Sequence, residues 1–346
     1  MTRQISLGIM GRPTLDPDSS RFIRTTWMLD VKRTLPIHSI AATIRFLDNH
    51  EADKLEDLTR RRNVFARHSW ENNFYLQRIR QFANRSVIEV FRPGDPHSVA
   101  DEAELLAKVV EQVAVLCSVL YSSRTTLQNS LAIAEHRKEI IDFIIGPGFK
   151  FLRSSKKKER GIRGVVVDER FVRRFRRLGL DVLVQQATQS NELSVRLRQG
   201  LQWLLESRLE PSLGAAVVKT AIALEALLGA NETEPLRRTL SERTAFLLSD
   251  DPDLRAKSSR VVRDFYDARS RVVHGGRGKP RGPDPQLLEA ADRLSLLLAI
   301  TLAANSTVFG SFDGAARWVE DQRWGQDLTI TRPFRDGDLK RALARA

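Results

Sequence analysis

From Glu192 to Ser306 the apolar residues of the chain recur every three or four positions, the spacing of helices that bury one face. Five such segments stand in a row: SVRLRQGLQWLLESRLE (194–210), PSLGAAVVKTAIALEALLG (211–229), EPLRRTLSERTAFLLS (234–249), DPDLRAKSSRVVRDFYDARSRVVHGG (251–276) and PDPQLLEAADRLSLLLAITLAANS (283–306). Proline and acidic residues open several of them and glycine closes two, as helix ends require. The pattern predicts a helical bundle of roughly 115 residues.

Upstream the period changes. Residues 20–48 mix β-branched and aromatic residues in period-two stretches, which predicts short strands. Residues 51–84 return to a helical period, and VIEVF (87–91) reads as a strand closed by the turn RPGD. A long helix is predicted from Val99 to about Leu131, with Asp101, Glu102 and Glu104 in its first turn, where the helix dipole favours acids. Its two faces are both apolar between Val109 and Leu120, so it should lie inside. Beyond it, FKFL (149–152) and VVV (165–167) flank a charged loop and predict a β-hairpin followed by a short basic helix. The GPG at 146–148 is not a phosphate-cradling loop, because no Gly-Lys-Ser/Thr follows at the spacing such a loop needs. The expected fold class is mainly α: a mixed α+β N-terminal region over 1–185, a helical bundle over 186–310, and an extension over 311–346 pinned to the body by Trp318 and Trp324.

Composition narrows the compartment and the chemistry. No apolar run approaches the roughly 18–20 residues that a membrane span needs, and the N-terminus lacks an apolar stretch with a small-residue cleavage site. A cytoplasmic protein with no membrane partner is therefore expected. The one cysteine, Cys117, sits in the apolar run VVEQVAVLCSVLY, which excludes an intramolecular disulfide framework and a zinc site built from several thiolates, and it reads as a core residue.

The net charge of +13 matters mainly through where it lies. Residues 150–177 hold twelve lysines and arginines against three acids. Arginine outnumbers lysine 44 to 12 along the chain, so part of this excess is compositional, and a basic loop can equally be plain solvated surface. The concentration is nonetheless the electrostatic footprint of a segment that holds phosphates or an acidic surface. Lys156, Lys157, Lys158, Arg160, Arg163, Arg173, Arg174, Arg176 and Arg177, in the expected basic hairpin and helix over 149–177, are the candidates for contact with a nucleic-acid backbone.

The fourth bundle helix carries the densest group of chemically useful side chains. At about 100° per residue, Leu254, Val261, Phe265, Ala268 and Val272 form one buried stripe. Arg269 lies about 60° from its centre, in a row with Val262, Tyr266 and Val273, so a guanidinium stands among apolar neighbours and needs a partner. A carboxylate such as Glu225 could supply one, or the side chain could snorkel to water. Asp267, Ser270 and His274 share the polar side, with Arg271 beside them. His274 could be simply a cation favoured at a helix C-terminus.

The span ARSRVVHGG, preceded by FYD and by the upstream segments ALEALLG and LSERTAFLL, resembles the HEPN superfamily and within it the Apea-like branch, over about residues 192–306. Members carry an Arg, four to six further residues and a His at the end of a helix in a helical bundle, and Arg269 and His274 fit with four between. Glu225, Arg243 and the trailing glycines extend the match, and Ser270 holds the place directly after the Arg.

The resemblance implies an endoribonuclease that needs no metal or other cofactor, with two protomers bringing their Arg and His helices together across a two-fold axis. Five residues place Arg269 and His274 about 140° apart on a straight helix, so convergence on one phosphate calls for a dimer or for unwinding at Gly275. His274 would take the ribose 2′-OH proton, since imidazole is the side chain that ordinarily titrates near neutral pH, and Arg269 would hold the phosphate oxygens. The products would be a 2′,3′-cyclic phosphate and a free 5′-OH, and DNA would survive. In this division of labour the basic N-terminal region binds or senses RNA and the bundle cuts it. The resemblance also suggests a bacterial defence or toxin effector restrained by an antitoxin or defence-system partner. The competing expectation is a catalytically inactive bundle that serves as an RNA-binding or dimerisation module.

Overall fold

The computed structural model describes residues 19–26, 28–62, 85–122, 139–145, 152–156, 165–229, 235–274, 284–325 and 329–344. They form a mainly helical protein with a small antiparallel sheet near the N-terminus. The strands are β1 (Ser19–Thr25), β2 (Leu29–Val31), β3 (Leu35–Ile37), β4 (Ala42–Leu47), β5 (Arg85–Pro93), β6 (Glu139–Ile145), β7 (Leu152–Lys156) and β8 (Val165–Val167). Six of them make one sheet in the order β3-β4-β5-β1-β6-β7, every neighbouring pair antiparallel. The two remaining strands, β2 and β8, pair in parallel.

Helix α1 (Asn49–Arg62) follows β4, and α2 (Pro96–Cys117) follows β5. α2 is interior over its second half: every residue from Val113 to Cys117 is buried. Its extent differs from the pattern-based expectation, for a 3-10 turn at Ser118–Leu120 ends it well before Leu131. The cause is local. The Ser118 hydroxyl donates to the Val115 carbonyl at 2.7 Å and the Ser122 hydroxyl to the Ser118 carbonyl at 2.8 Å, bonds that compete with continuation of the helix. Residues 123–131 of the expected helix, like 63–84 of the earlier one, lie outside the described residues.

Of the expected hairpin between FKFL and VVV, residues 149–151 and 157–164 lie outside the described residues, and the parts that are described, Leu152 and Val165–Val167, pair with other strands. β7 pairs with β6, whose residues 140–145 are almost all apolar, and the three-residue β8 pairs with β2, Leu29 opposite Val165. A long apolar strand offers β7 a fuller ladder than a three-residue strand can. The basic helix does follow, as α3 (Glu169–Arg177), capped by Asp168, whose carboxylate accepts the Phe171 amide at 2.7 Å.

After α4 (Leu180–Ala187) come the five expected bundle helices: α5 (Glu192–Leu209), α6 (Leu213–Leu228), α7 (Leu236–Leu248), α8 (Pro252–His274) and α9 (Pro285–Ala304). Their starts are set by side chains satisfying free amides: Asn191 accepts from Ser194 at 2.9 Å, Asp251 from Leu254 at 3.0 Å, and Asp284, just before Pro285, from Gln286 at 2.9 Å. Helices α5 and α6 approach closely because Gly200 has no side chain: a Cβ there would sit 2.6 Å from Leu227 Cγ. α9 is the central helix, buried from Leu288 to Ala303. At its centre Asp292 accepts from Arg208 at 3.3 Å and from the Thr220 hydroxyl at 2.7 Å, and Arg208 and Asp292 are 1% and 0% exposed.

The chain ends in α10 (Ser306–Phe309), α11 (Phe312–Arg323) and α12 (Asp336–Leu343). Trp318 pins α11 to the body, 4% exposed and edge-on to Phe309. Trp324 does not: it is 79% exposed, because it caps α11 and its indole N–H donates outward to Glu320 at 3.1 Å. One hydrophobic cluster runs from Phe22 in the sheet through the bundle to Leu343 in α12.

Cys117 lies in that cluster, 1% exposed, and burial pushes its thiol up to about 12 despite the nearby Arg174 and Arg177. It should therefore resist a thiol reagent at pH 8 in the native protein and react fully once unfolded, since only the thiolate is nucleophilic. Rapid native labelling would place the side chain elsewhere.

α12 is held by charge. Arg177 donates to both Asp338 oxygens, at 2.6 and 3.1 Å, and to the Tyr121 hydroxyl at 2.8 Å. Burial alone would raise the Asp338 carboxyl, but Arg177 and the Arg335 amide outweigh it and hold it below the usual carboxylate range. A folded-state value below the unfolded one stabilises above the unfolded value and is lost as pH falls through the folded one. Asp338→Asn should thus cost about 1.5–3 kcal/mol at pH 7, with the difference from wild type closing below roughly pH 4, as urea unfolding at each pH would show. A pH-independent difference would assign the loss to packing.

Candidate functional site

α8 presents its buried stripe as predicted: Leu254, Val261, Phe265 and Ala268 are all under 8% exposed, and Val272 is half-buried. In the neighbouring row, Val262 and Tyr266 are buried, Arg269 is half-buried and Val273 is 47% exposed. The row faces α6, where the Tyr266 hydroxyl lies 3.3 Å from the Ala221 carbonyl and 3.2 Å from Glu225 Oε1. Val272 lies further along, 3.5 Å from where a Cβ on Gly214 would be, so the two helices run antiparallel.

Glu225 thus has Tyr266 as its partner rather than Arg269. The Tyr266 phenol is pushed up, chiefly by burial and then by the Glu225 charge, while the Arg269 guanidinium pulls the other way. Arg269 is close enough to act on Tyr266 electrostatically, yet its Nε is buried without a hydrogen-bond partner, and it makes no ion pair among the described residues. A half-buried guanidinium with unspent donors is the position from which an anion is best held.

The polar side is divided. Asp267 does not turn to His274: it pairs with Arg237 of α7 at 2.7 Å, which fixes the two helices together. Ser270, Arg271 and His274 are exposed, and His274 is the last helical residue. Among the described residues His274 makes no hydrogen bond to Asp267, Ser270 or Arg271. The helix stays regular through His274, which keeps it about 140° around the axis from Arg269 and roughly 7.5 Å along it. Gly275, where unwinding was expected, lies outside the described residues.

Of the basic segment, α3 is described in full. Arg177 is committed to Asp338 and Tyr121, and Arg174 stacks on the Tyr121 ring with its Cζ 4.0 Å from the centroid. These two arginines hold α12 and the turn after α2 in place, so their charge is engaged by protein groups even though Arg177 is exposed. Arg173 and Arg176 are exposed, the former 3.8 Å from Glu169. Lys156 ends β7, and Lys157, Lys158, Arg160 and Arg163 lie outside the described residues.

Glu225 has a second environment that the pattern of the chain did not indicate. It lines an open cleft of about 950 Å³ formed by α5, α6, α7 and α11, together with Arg243, which donates to the Leu228 carbonyl at 2.9 Å and to the Gly229 carbonyl. Arg269 and His274 do not line it. Its walls come from helices far apart in sequence, so only packing could reveal it. Among the described residues no group of three or more His, Cys, Asp and Glu side chains is arranged to hold a metal ion, and no helix is long and apolar enough to cross a membrane. No family model, curated protein or solved structure matches the chain, so the arrangement of α6, α7 and α8 is what bears on its function.

Proposed function

We propose that the chain is a metal-independent endoribonuclease of the HEPN type, in which Arg269 and His274 act on a phosphodiester of single-stranded RNA. The observation that carries this is the state of Arg269: half-buried, near a phenol, with Glu225 already occupied and its own donors unspent. A phosphate would offset that charge and accept two parallel N–H bonds, and the charge building on phosphorus oxygens in the transition state would strengthen them. His274, exposed at the helix end, would accept the 2′-OH proton as that oxygen attacks phosphorus. The P–O5′ bond breaks, the 5′ oxygen takes a proton, and a 2′,3′-cyclic phosphate remains.

The 140° separation on a regular helix means that one copy does not by itself aim both groups at one phosphate. A second copy related by a two-fold axis would supply the missing group, and the exposed last turn of α8, with Val273 outward, is the surface on which it would sit. Arg173, Arg176 and the lysines around 156–158 would supply the backbone attraction that the nearly neutral bundle lacks. Defence or toxin activity under a restraining partner is the biological setting this chemistry suits.

The test is to incubate the protein with labelled single-stranded RNA in EDTA beside His274→Ala and Arg269→Ala. Cutting by wild type that both variants lose supports the enzyme. RNA binding of equal strength in all three, with no cutting by wild type, identifies an RNA-binding module instead.

A further inference from the structure

The cleft between α5, α6, α7 and α11 falls within the roughly 300–1,000 Å³ range of small-molecule sites. Arg196 from α5, Arg243 from α7 and Arg317 from α11 converge on it, and gathering three guanidiniums is unfavourable unless anions answer them. Arg243 is oriented by the carbonyls at the end of α6. Arg317 is exposed and makes no hydrogen bond or ion pair among the described residues. Three carboxylates, Glu225, Asp313 and Glu320, line the cleft as well; Glu320 is engaged by Arg323 at 3.0 Å and by the Trp324 indole, Arg196 reaches Glu192 at 4.0 Å, and Arg317 is the lining guanidinium for which no ion pair forms among the described residues.

The apolar wall is as telling as the charge. Trp203 lines the cleft half-buried, beside Ile222, with no acceptor for its indole N–H among the described residues. A flat aromatic ring is the surface on which a planar base stacks, a contact worth several-fold to a hundredfold in affinity. Glu225, with one oxygen bonded to Tyr266, keeps acceptor capacity on the other for an amino group.

From these features we infer that the cleft binds a nucleoside 5′-monophosphate, its phosphate held by Arg317 with Arg196, its base against Trp203. Neither Arg269 nor His274 lines the cleft, so the inference stands whether or not the chain cuts RNA.

The experiment titrates the full-length protein with AMP, with adenosine and with inorganic phosphate, by calorimetry and tryptophan fluorescence. AMP should saturate, with adenosine and phosphate each at least about tenfold weaker. Arg317→Glu, at an exposed position that leaves the fold intact, should weaken AMP by at least about tenfold, and Trp203→Leu comparably with loss of the fluorescence change. A 5′-phosphorylated RNA that displaces AMP would name a strand end as the natural occupant, and one that fails to would name the free nucleotide. The site holds in either case. No saturation by AMP up to about 10 mM, or binding unchanged in Arg317→Glu, overturns it.

Discussion

Replacing Asp292 with alanine should cost the protein about 3–5 kcal/mol, the loss expected when one member of a buried ion pair is removed. Asp292 and Arg208 are 0% and 1% exposed, and Arg208 Nε already lacks a hydrogen-bond partner. Without the carboxylate the guanidinium would keep its charge in the middle of the bundle, and the Thr220 hydroxyl would lose the acceptor it has at 2.7 Å. Against a typical total of about 5–15 kcal/mol, that loss is a large share of the whole. The double variant Arg208→Met with Asp292→Leu leaves no charge behind and should recover most of it. Urea unfolding of both variants tests the point. A single variant within about 1 kcal/mol of wild type would mean that water reaches the pair.

The largest effect on activity is expected at α8. If Arg269 holds the phosphate and His274 takes the 2′-OH proton, each alanine variant should lower the cleavage rate by about 10²–10⁴-fold, the usual worth of a general base or of a positioned charge in the transition state. Arg269→Lys should recover only a small part, because an ammonium does not make the paired bonds of a guanidinium. RNA affinity should barely change in His274→Ala, since backbone attraction would come from the basic segment around 150–177. A large fall in affinity with an unchanged rate at saturating RNA would make His274 a binding residue.

The bundle was the most legible part of the chain. Each of its five helices has a clear apolar period, and four of them start at a capping side chain, Asn191, Ser212, Asp251 or Asp284, while α7 starts after Pro235; these signals are local. Errors arose where a tertiary partner or a local polar bond overrode the apolar pattern. Val165–Val167 reads as half of a hairpin until β2 is known to lie beside it, and α2 ends where two serine hydroxyls turn back to backbone carbonyls, although the apolar run continues. Trp324 reads as a core residue from its type alone, but its position as a helix cap turns it outward.

At the site, the placement of Arg269 and His274 on one helix end followed from periodicity. The competition for Glu225 did not, because it depends on how α6 and α8 pack and on the reach of Tyr266. Arg174 and Arg177 show the same limit from the other side: their charge was visible in the sequence, and their commitment to Tyr121 and Asp338 was not. Arg196, Trp203 and Arg317 sit on two helices more than a hundred residues apart, with nothing in their own segments to link them.

The central claim is a 2′-OH attacking its own phosphodiester under the control of Arg269 and His274, and the most direct measurement is of the ends it leaves. An RNA cut by the protein in EDTA should carry 2′,3′-cyclic phosphates, and the same RNA with a single 2′-deoxynucleotide on the 5′ side of the scissile bond should survive there while being cut elsewhere. Cleavage at the deoxy position, 3′-OH ends, or no cutting of an RNA that the protein binds would contradict it.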